Sequence, residues 1–305
     1  MSASKALTLP TLTASSVDDT LPPVDLAKPA EAANDREGHR ADAAATVTPA
    51  RVLPGIDLRG WVLPVAFVLL WALATSRGWV NTKLIVPPAD VAQAAAKSLS
   101  SADFYTGVAY SLARDLSGFL IGGLAGVALG TLLGVSRWAD RLIGPTFHTL
   151  RQISLFAWLP LLSSFLGVGE SAKVVFIAFS AFYPVVLATL EGVKGVTLAH
   201  AEVAKVYGFN RRQLLFRLIL PAASPQILGG LRLGLTYAWL ATIGAEFLLA
   251  SVGAGLGTTV FRGRAAFNVG LIVFGMLAIG LIGTALNKLA ARAEARLLRW
   301  RAPQS

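Results

Sequence analysis

The sequence predicts an all-α membrane protein, on three observations. Hydrophobic residues make up 54% of the 305 residues and charged ones only 14%, where an ordinary globular chain carries about a quarter. The mean hydropathy is +0.61. Beyond residue 59, long apolar runs alternate with short basic stretches. This composition excludes a disordered protein and argues against a soluble enzyme. The absence of cysteine removes disulfide scaffolds, thiolate zinc sites and cysteine nucleophiles.

Residues 1–57 are rich in Ala, Thr, Pro, Ser and Asp and hold no helical or strand period. Such a segment buries too little apolar surface to offset its ordering entropy, so it reads as a disordered cytoplasmic tail ahead of a membrane domain over 58–302. It lacks the basic start, apolar middle and small-residue cleavage site of a signal peptide. Six apolar segments follow: 60–76, 116–135, 153–168, 174–190, 226–250 and 265–287. Pro160 falls in the third, Pro184 in the fourth, and Arg232 and Glu246 in the fifth. The five uncharged segments run about 24 to 35 Å at 1.5 Å per residue. That brackets the hydrocarbon thickness, so six transmembrane helices are expected.

The linker at 77–115 contains Pro87 and Pro88, which stop a preceding helix. Val91, Ala95 and Leu99 then recur on one face, which predicts a short amphipathic helix. Tyr105 to Arg114 leads helically into the second span.

Charge sets the orientation. Residues 1–59 sum to −2 and the remainder to +12. The stretches 136–152, 191–225 and the region after Asn287 hold thirteen Lys and Arg, against six in the alternate loops. This bias predicts both termini in the cytoplasm. A basic excess can accompany nucleic-acid binding, but these residues lie between apolar runs, so no nucleic-acid partner is expected. Trp61, Trp79 and Trp300 suit the membrane interface.

Several features carry more than topology. Gly118, Gly122, Gly126, Gly130 and Gly134 are four apart and share one helix face, where another helix can approach closely. Two roles are open for this stripe, packing within the chain or a moving or dimer-forming seam. From Ala199 to Tyr207 the residues favour helix, Gly208 suits the left-handed position that ends one, and a second helix is expected from Arg211 to Leu220, limited by Pro221. Ser224 and Pro225 read as the cap and first turn of the fifth span. Such a helix-turn-helix can dock into a groove on a soluble partner or rest on the membrane surface.

Intramembrane charge is costly and suggests function. Arg232 lies about 9 Å along the helix from Gln226, within reach of the interface by snorkelling. It is a candidate for a pathway anion site or for a bond between helices. Glu246 is about 21 Å away from Arg232, too far to pair with it, and is expected in a structural or gating contact. Arg114 is a further pathway candidate. His148 and His200 have no companion ligands, so no metal site is expected. No phosphate-binding loop with Gly-Lys-Ser/Thr occurs, and Gly253, Gly255 and Gly257 belong to no strand-turn-helix unit and are expected in an outer loop.

Glu202, Ala204, Gly208, Leu220 and Pro221 match the spacing of the EAA motif. The chain resembles the membrane-spanning permease subunit of binding-protein-dependent ABC importers, most nearly the sulfonate, taurine and nitrate permeases. Arg137-Trp138, Ala157-Trp158-Leu159-Pro160-Leu161, Gly169-Glu170-Ser171-Ala172-Lys173 and Ala245-Glu246 support the likeness over about residues 60–300. The resemblance implies a type I ABC importer transmembrane fold, with its core at about 107–291 and a coupling helix at about 198–211. It implies a homodimer of permease subunits, a separate ABC ATPase subunit that carries ATP and Mg, a periplasmic substrate-binding protein, and an inner-membrane location among lipid. The chain itself would hold no cofactor and catalyse nothing. On this reading Glu202 helps seat the coupling helix, Gly208 makes its turn and Pro221 sets the return angle. The implied cargo is a small anion, an aliphatic sulfonate first, with taurine, nitrate or another small solute as alternatives. Val203 stands where the motif commonly has Ala, and Ser154 where relatives often have Pro. From another class, a proton-coupled secondary transporter would need a relay deep in the bundle and often internal repeats, and no repeat is visible.

Overall fold

A computed structural model describes residues 59–81, 85–196, 202, 204, 206–249 and 253–299. The expected disordered tail lies outside the described residues, as do Trp300 and, within the EAA region, Ala199, His200, Ala201, Val203 and Lys205. The contact map separates Met1–Trp61 from a unit formed by Val62–Ser305, and the helical bundle lies in the second.

Among the described residues the regular structure is helical throughout. The helices are α1 (Arg59–Ser76), α2 (Pro88–Leu99), α3 (Ala102–Val135), α4 (Arg137–Leu150), α5 (Trp158–Leu166), α6 (Glu170–Lys194), α7 (Arg211–Leu248), α8 (Leu256–Ala265) and α9 (Val269–Leu297). In lipid each backbone N–H must find its acceptor within the segment, which leaves helices as the available open-chain solution. Four of them (α3, α6, α7 and α9) are long and apolar enough to cross a membrane, while Val62–Ser76 and Leu155–Leu166 are shorter apolar helices. The amphipathic helix expected after the Pro87-Pro88 pair is α2, with Pro88 in its first turn and Val91 buried. The third apolar segment is the most altered. A 3-10 turn at Leu155–Ala157 precedes the nine residues of α5, which rise only about 14 Å. Gly167 at φ +76° then turns the chain toward α6.

The stretch 136–152, expected as a loop, forms α4. Ser136 ends α3 and caps α4, its hydroxyl accepting the Ala139 N–H at 3.3 Å. The expected break at Pro221 and the new start at Pro225 are also absent: one helix runs from Arg211 to Leu248. Leu214–Ile219 is π-helical, with the Leu220 N–H reaching the Leu215 carbonyl. The register therefore changes just before Pro221, which has no N–H to donate. The carbonyl of Pro221, deprived of a donor by Pro225, accepts the Ser224 hydroxyl at 2.8 Å.

The bundle centres on α6, which packs against α3 on one side and α7 on the other. All five glycines of the α3 stripe face α6 of the same chain. A Cβ on Gly118 would meet Ile177, on Gly122 Ala178, on Gly126 Val185, on Gly130 Val186 and Thr189, and on Gly134 Val193. Gly230 and Gly234 give α7 the same closeness, against Ala188 and Val185. Phe176, Ile177, Ala181, Ala238, Ala241 and Ala245 fill the central core. Leu120, Ile121 and Leu124 of α3 and Leu277 and Leu281 of α9 point outward, where lipid would solvate them.

Contacts define two ends. Near α4, Lys194 of α6 pairs with Asp140 at 2.7 Å, and the early part of α7 packs against Val193. The opposite end gathers α2, α8 and the starts of α3, α6 and α9, with Val91, Leu256 and Phe274 in a second core.

A branched side chain at Gly122 would strike the Ala178 backbone, which cannot yield without moving α6. Gly122→Val is expected to lower stability by about 1–3 kcal/mol or more. Gly280→Ala, where the added methyl meets nothing within 4 Å, should leave it unchanged. Thermal unfolding in detergent compares the two.

Candidate functional site

Two places stand out, one at each end of the bundle. At the α4 end lies the segment with the EAA spacing. Glu202, Ala204 and Val206 are helical, with Glu202 exposed and Ala204 buried. Gly208 has φ +71°, and the Phe209 N–H reaches back to the Ala204 carbonyl at 3.0 Å. This is the six-to-one bond of a Schellman ending, and its left-handed residue suits only a glycine without strain. Asn210 then opens α7 with a reciprocal cap: its Oδ1 accepts the Gln213 N–H at 2.8 Å, and its own N–H donates to Gln213 Oε1 at 2.9 Å. Four residues, Tyr207 to Asn210, thus join the two helix ends, with hydrogen bonds closing both sides of the turn. Val206 and Tyr207 crown it, Tyr207 being 78% exposed. A recess of about 350 Å³ at the start of α7 is lined by Asn210, Arg212, Gln213, Phe216 and Arg217. Leu220 packs onto the Val193, Ala223 and Ile227 cluster, and Pro221 is exposed.

At the α8 end distant segments converge on Arg114. Its Nη1 donates to Glu246 Oε1 at 2.7 Å and to the Ala254 carbonyl at 2.7 Å. Its Nη2 donates to Glu170 Oε1 at 2.8 Å, and its Nε to Glu170 Oε2. Lys173 Nζ lies 3.6 Å from Glu170 Oε1. Glu246 is fully buried and accepts from two further donors. The Ser111 hydroxyl reaches its two oxygens at 2.7 and 2.9 Å, and the Gly257 N–H reaches Oε2 at 2.9 Å. The Leu256 N–H donates to Ser111 Oγ at 3.0 Å. Glu246 and Ser111 therefore receive the free N–H groups that begin α8, a place that favours negative charge. Gly255 must lack a side chain, because a Cβ would overlap the Glu246 carboxylate. Asp115, also buried, turns instead to Thr242 of α7.

Arg232 lies apart from this cluster. At the α4 end its Nε donates to Asn287 Oδ1 at 3.0 Å and its Nη1 to Glu294 Oε2 at 3.4 Å, so it ties α7 to α9. A cavity of about 590 Å³ opens between α6, α7 and the segment after α4, lined in part by Arg151, Ser180, Tyr183, Glu191 and Tyr237. Among the described residues no group of three His, Cys, Asp or Glu is placed to hold a metal ion.

Comparison with known proteins gives the fold and the site a context. The profile of the family described as binding-protein-dependent transport system inner membrane component matches residues 120–301. The chain belongs to this family. It is 33% identical over 240 residues to the putative aliphatic sulfonates transport permease protein SsuC of Escherichia coli K12, spanning 79% of this chain and 90% of that one. It is 30% identical to the Bacillus subtilis protein of the same name, over 82% and 92% of the two chains. The bicarbonate transport system permease protein CmpB of Synechococcus elongatus is 28% identical over 79% and 91%. A solved structure of the MetNI methionine ABC transporter in an inward-facing conformation shares the fold, with a TM-score of 0.55 and 18% identity over 64% of this chain and 95% of that one. The permease is thus a helical ABC importer membrane subunit of the type I fold.

The sequence marks Arg114 and Glu246 as candidates, but not as partners. Nothing in it singles out Ser111, Asp115 or Ala254, and Glu170 and Lys173 enter only through the family resemblance. The local signal that could find them is the Glu170–Lys173 spacing at a helix start, an ion-pair register. Removing Glu246 would leave Arg114 Nη1 with the Ala254 carbonyl alone and strand the Gly257 N–H and the Ser111 hydroxyl in a buried site. Glu246→Ala is expected to cost about 3–5 kcal/mol, whereas Arg232→Ala, at a partly exposed pair, should cost under about 1 kcal/mol. Both are read from thermal unfolding of the solubilised permease.

Proposed function

We propose that this permease carries a small oxyanion, an aliphatic sulfonate first, across the cytoplasmic membrane, driven by ATP hydrolysis in a separate subunit. The carrying observation is the hydrogen-bonded turn at Gly208, which presents Val206 and Tyr207 to solvent at the α4 end. Large apolar side chains held out on a capped turn suit insertion into a partner's cleft better than contact with water. In this proposal the cleft belongs to an ABC ATPase, Glu202 lies along its rim, and the α4 end faces the cytoplasm together with both chain termini. Six membrane crossings then comprise the four long helices, Arg59–Ser76 and Leu155–Leu166. A second copy of the chain completes the pathway, and a periplasmic binding protein delivers cargo at the α8 end.

α7 provides the mechanical link. It begins at Arg211, directly after the Asn210 cap, and extends past Glu246, so one helix of 38 residues joins the docking turn to the buried ion cluster over about 57 Å. Motion imposed on the turn is carried along this helix to the opposite side. The cargo class is supported by relatives named as sulfonate and bicarbonate permeases; small size and negative charge are what these cargoes share.

Two experiments test the reading. Val206→Asp combined with Tyr207→Asp, or Gly208→Pro, is expected to abolish co-purification of an ATP-binding subunit and to reduce uptake at least about tenfold, with membrane insertion unchanged. Full uptake by these variants would remove the docking role. A strain deleted for the gene should lose growth on ethanesulfonate as sole sulfur source; unchanged growth and uptake would remove the sulfonate assignment.

A further inference from the structure

One stripe of α6 is polar at a depth where hydrocarbon would be expected. Ser180, Tyr183, Leu187 and Glu191 follow one another at three- and four-residue intervals, so they share a helix face. That face walls the cavity of about 590 Å³, and Leu233 and Tyr237, one turn apart on α7, wall it beside them. Tyr183 stands near the middle of the 25 residues of α6, and Tyr237 about 16 Å short of the end of α7. The Ser180 hydroxyl donates to the Tyr237 carbonyl at 2.8 Å and sets these two turns side by side.

Tyrosine favours the membrane interface, where its hydroxyl meets water or headgroups. Among the described residues the side chains of Arg151, Tyr183, Glu191 and Tyr237 make no hydrogen bond or ion pair. A phenol without a partner in an apolar medium is costly, so two of them on one cavity midway along the helices favour a polar occupant. The lining is also divided. Ile153, Leu155, Leu187 and Leu233 add apolar wall to the same space. Arg151, directly after α4, is the only cation among the lining residues. Glu191 lies about 12 Å along α6 from Tyr183 toward the α4 end, which sets its carboxylate apart from the phenols. Neutral hydroxyls donate strongly to an oxyanion yet add no buried counter-charge to trap it, and a transport site must release what it admits. A bare inorganic oxyanion would leave the leucine wall facing water, whereas a short alkyl chain would cover it. The volume falls in the range of small-molecule sites.

We propose that this cavity is an alkanesulfonate site, in which the hydroxyls of Tyr183 and Tyr237 hold the sulfonate, Arg151 draws it in, and Leu187 and Leu233 cover the alkyl chain. The inference rests on the importer reading above and names where its cargo is held. In that reading the α4 end faces the cytoplasm, so the site lies in the inner half of the membrane and holds cargo between delivery and release.

The test uses the full-length permease in detergent, with radiolabelled ethanesulfonate as probe in equilibrium dialysis. Tyr183→Phe combined with Tyr237→Phe keeps both rings and removes both hydroxyls; it is expected to bind ethanesulfonate at least about tenfold more weakly. Leu233→Ala should weaken butanesulfonate at least about threefold more than methanesulfonate. Because the chain has no cysteine, Gln152→Cys places a single thiol on the lining, and saturating ethanesulfonate should slow its maleimide labelling at least about threefold. Absence of ethanesulfonate binding by the unaltered chain would overturn the proposal, as would unchanged affinity in the double Phe variant or equal affinity for bicarbonate. A Gln152→Cys thiol that ignores ethanesulfonate and cross-links to its counterpart in a second copy would give this face to subunit contact and overturn it too. Full ethanesulfonate uptake by cells carrying the double Phe variant would remove the site and leave the importer standing, whereas unchanged uptake in the deletion strain removes the cargo reading itself.

Discussion

The architecture depends on how closely α3 and α7 approach α6. Between helices in lipid there is little hydrophobic gain, since the acyl chains are as apolar as leucine, and association must come from dispersion and polar contact at short range. Seven glycines supply that range, five on α3 and two on α7, each set against the backbone or side chains of α6. The result is a three-helix centre in which α6 is enclosed on two sides and the outer faces of α3 and α9 are left to lipid.

Close packing alone is poorly directional along a helix axis, and the charged groups at the α8 end supply what is missing. Arg114, in the first half of α3, binds residues from the start of α6, the end of α7 and the strap before α8. An error of one turn in any of these helices would leave a buried charge without its partner, at a cost of several kcal/mol. The α4 end is built differently: its ion pairs, Lys194–Asp140 and Arg232–Glu294, are partly exposed and individually weak. One end of the bundle is therefore tied by buried charge, whereas the other is held by apolar clusters and its ion pairs lie near the surface, with α7 running between them.

Helix continuity through α7 also shows how a local rule gives way. Pro221 and Pro225 argue for a break, because a proline deprives an upstream carbonyl of its donor. The chain keeps its helix by widening one turn into π geometry at Leu214–Ile219 and by turning the Ser224 hydroxyl onto the Pro221 carbonyl. Similarly, the sequence of α4 mixes Arg, Asp, Gly and Pro and reads as loop; it is helical because Ser136 caps it and because Phe147 is buried against α6 residues Val186 and Leu190.

Residue order alone was enough for the helical class, the membrane environment, the positions of the long spans and the turn at Gly208. Each follows from local properties: hydropathy over about 20 residues, spacing on one helix face, and the left-handed preference of glycine. Arg114 and Glu246 also stand out in the bare sequence, since charge in or beside an apolar run is legible anywhere. That these two meet, that Glu170 and Lys173 join them, and that Arg232 belongs to a different end of the bundle emerged only from the packing of the helices. The Arg114 pairings span 56 and 132 residues, and a charge's partner across such a distance is set by which helices come together, a global outcome that no local pattern encodes.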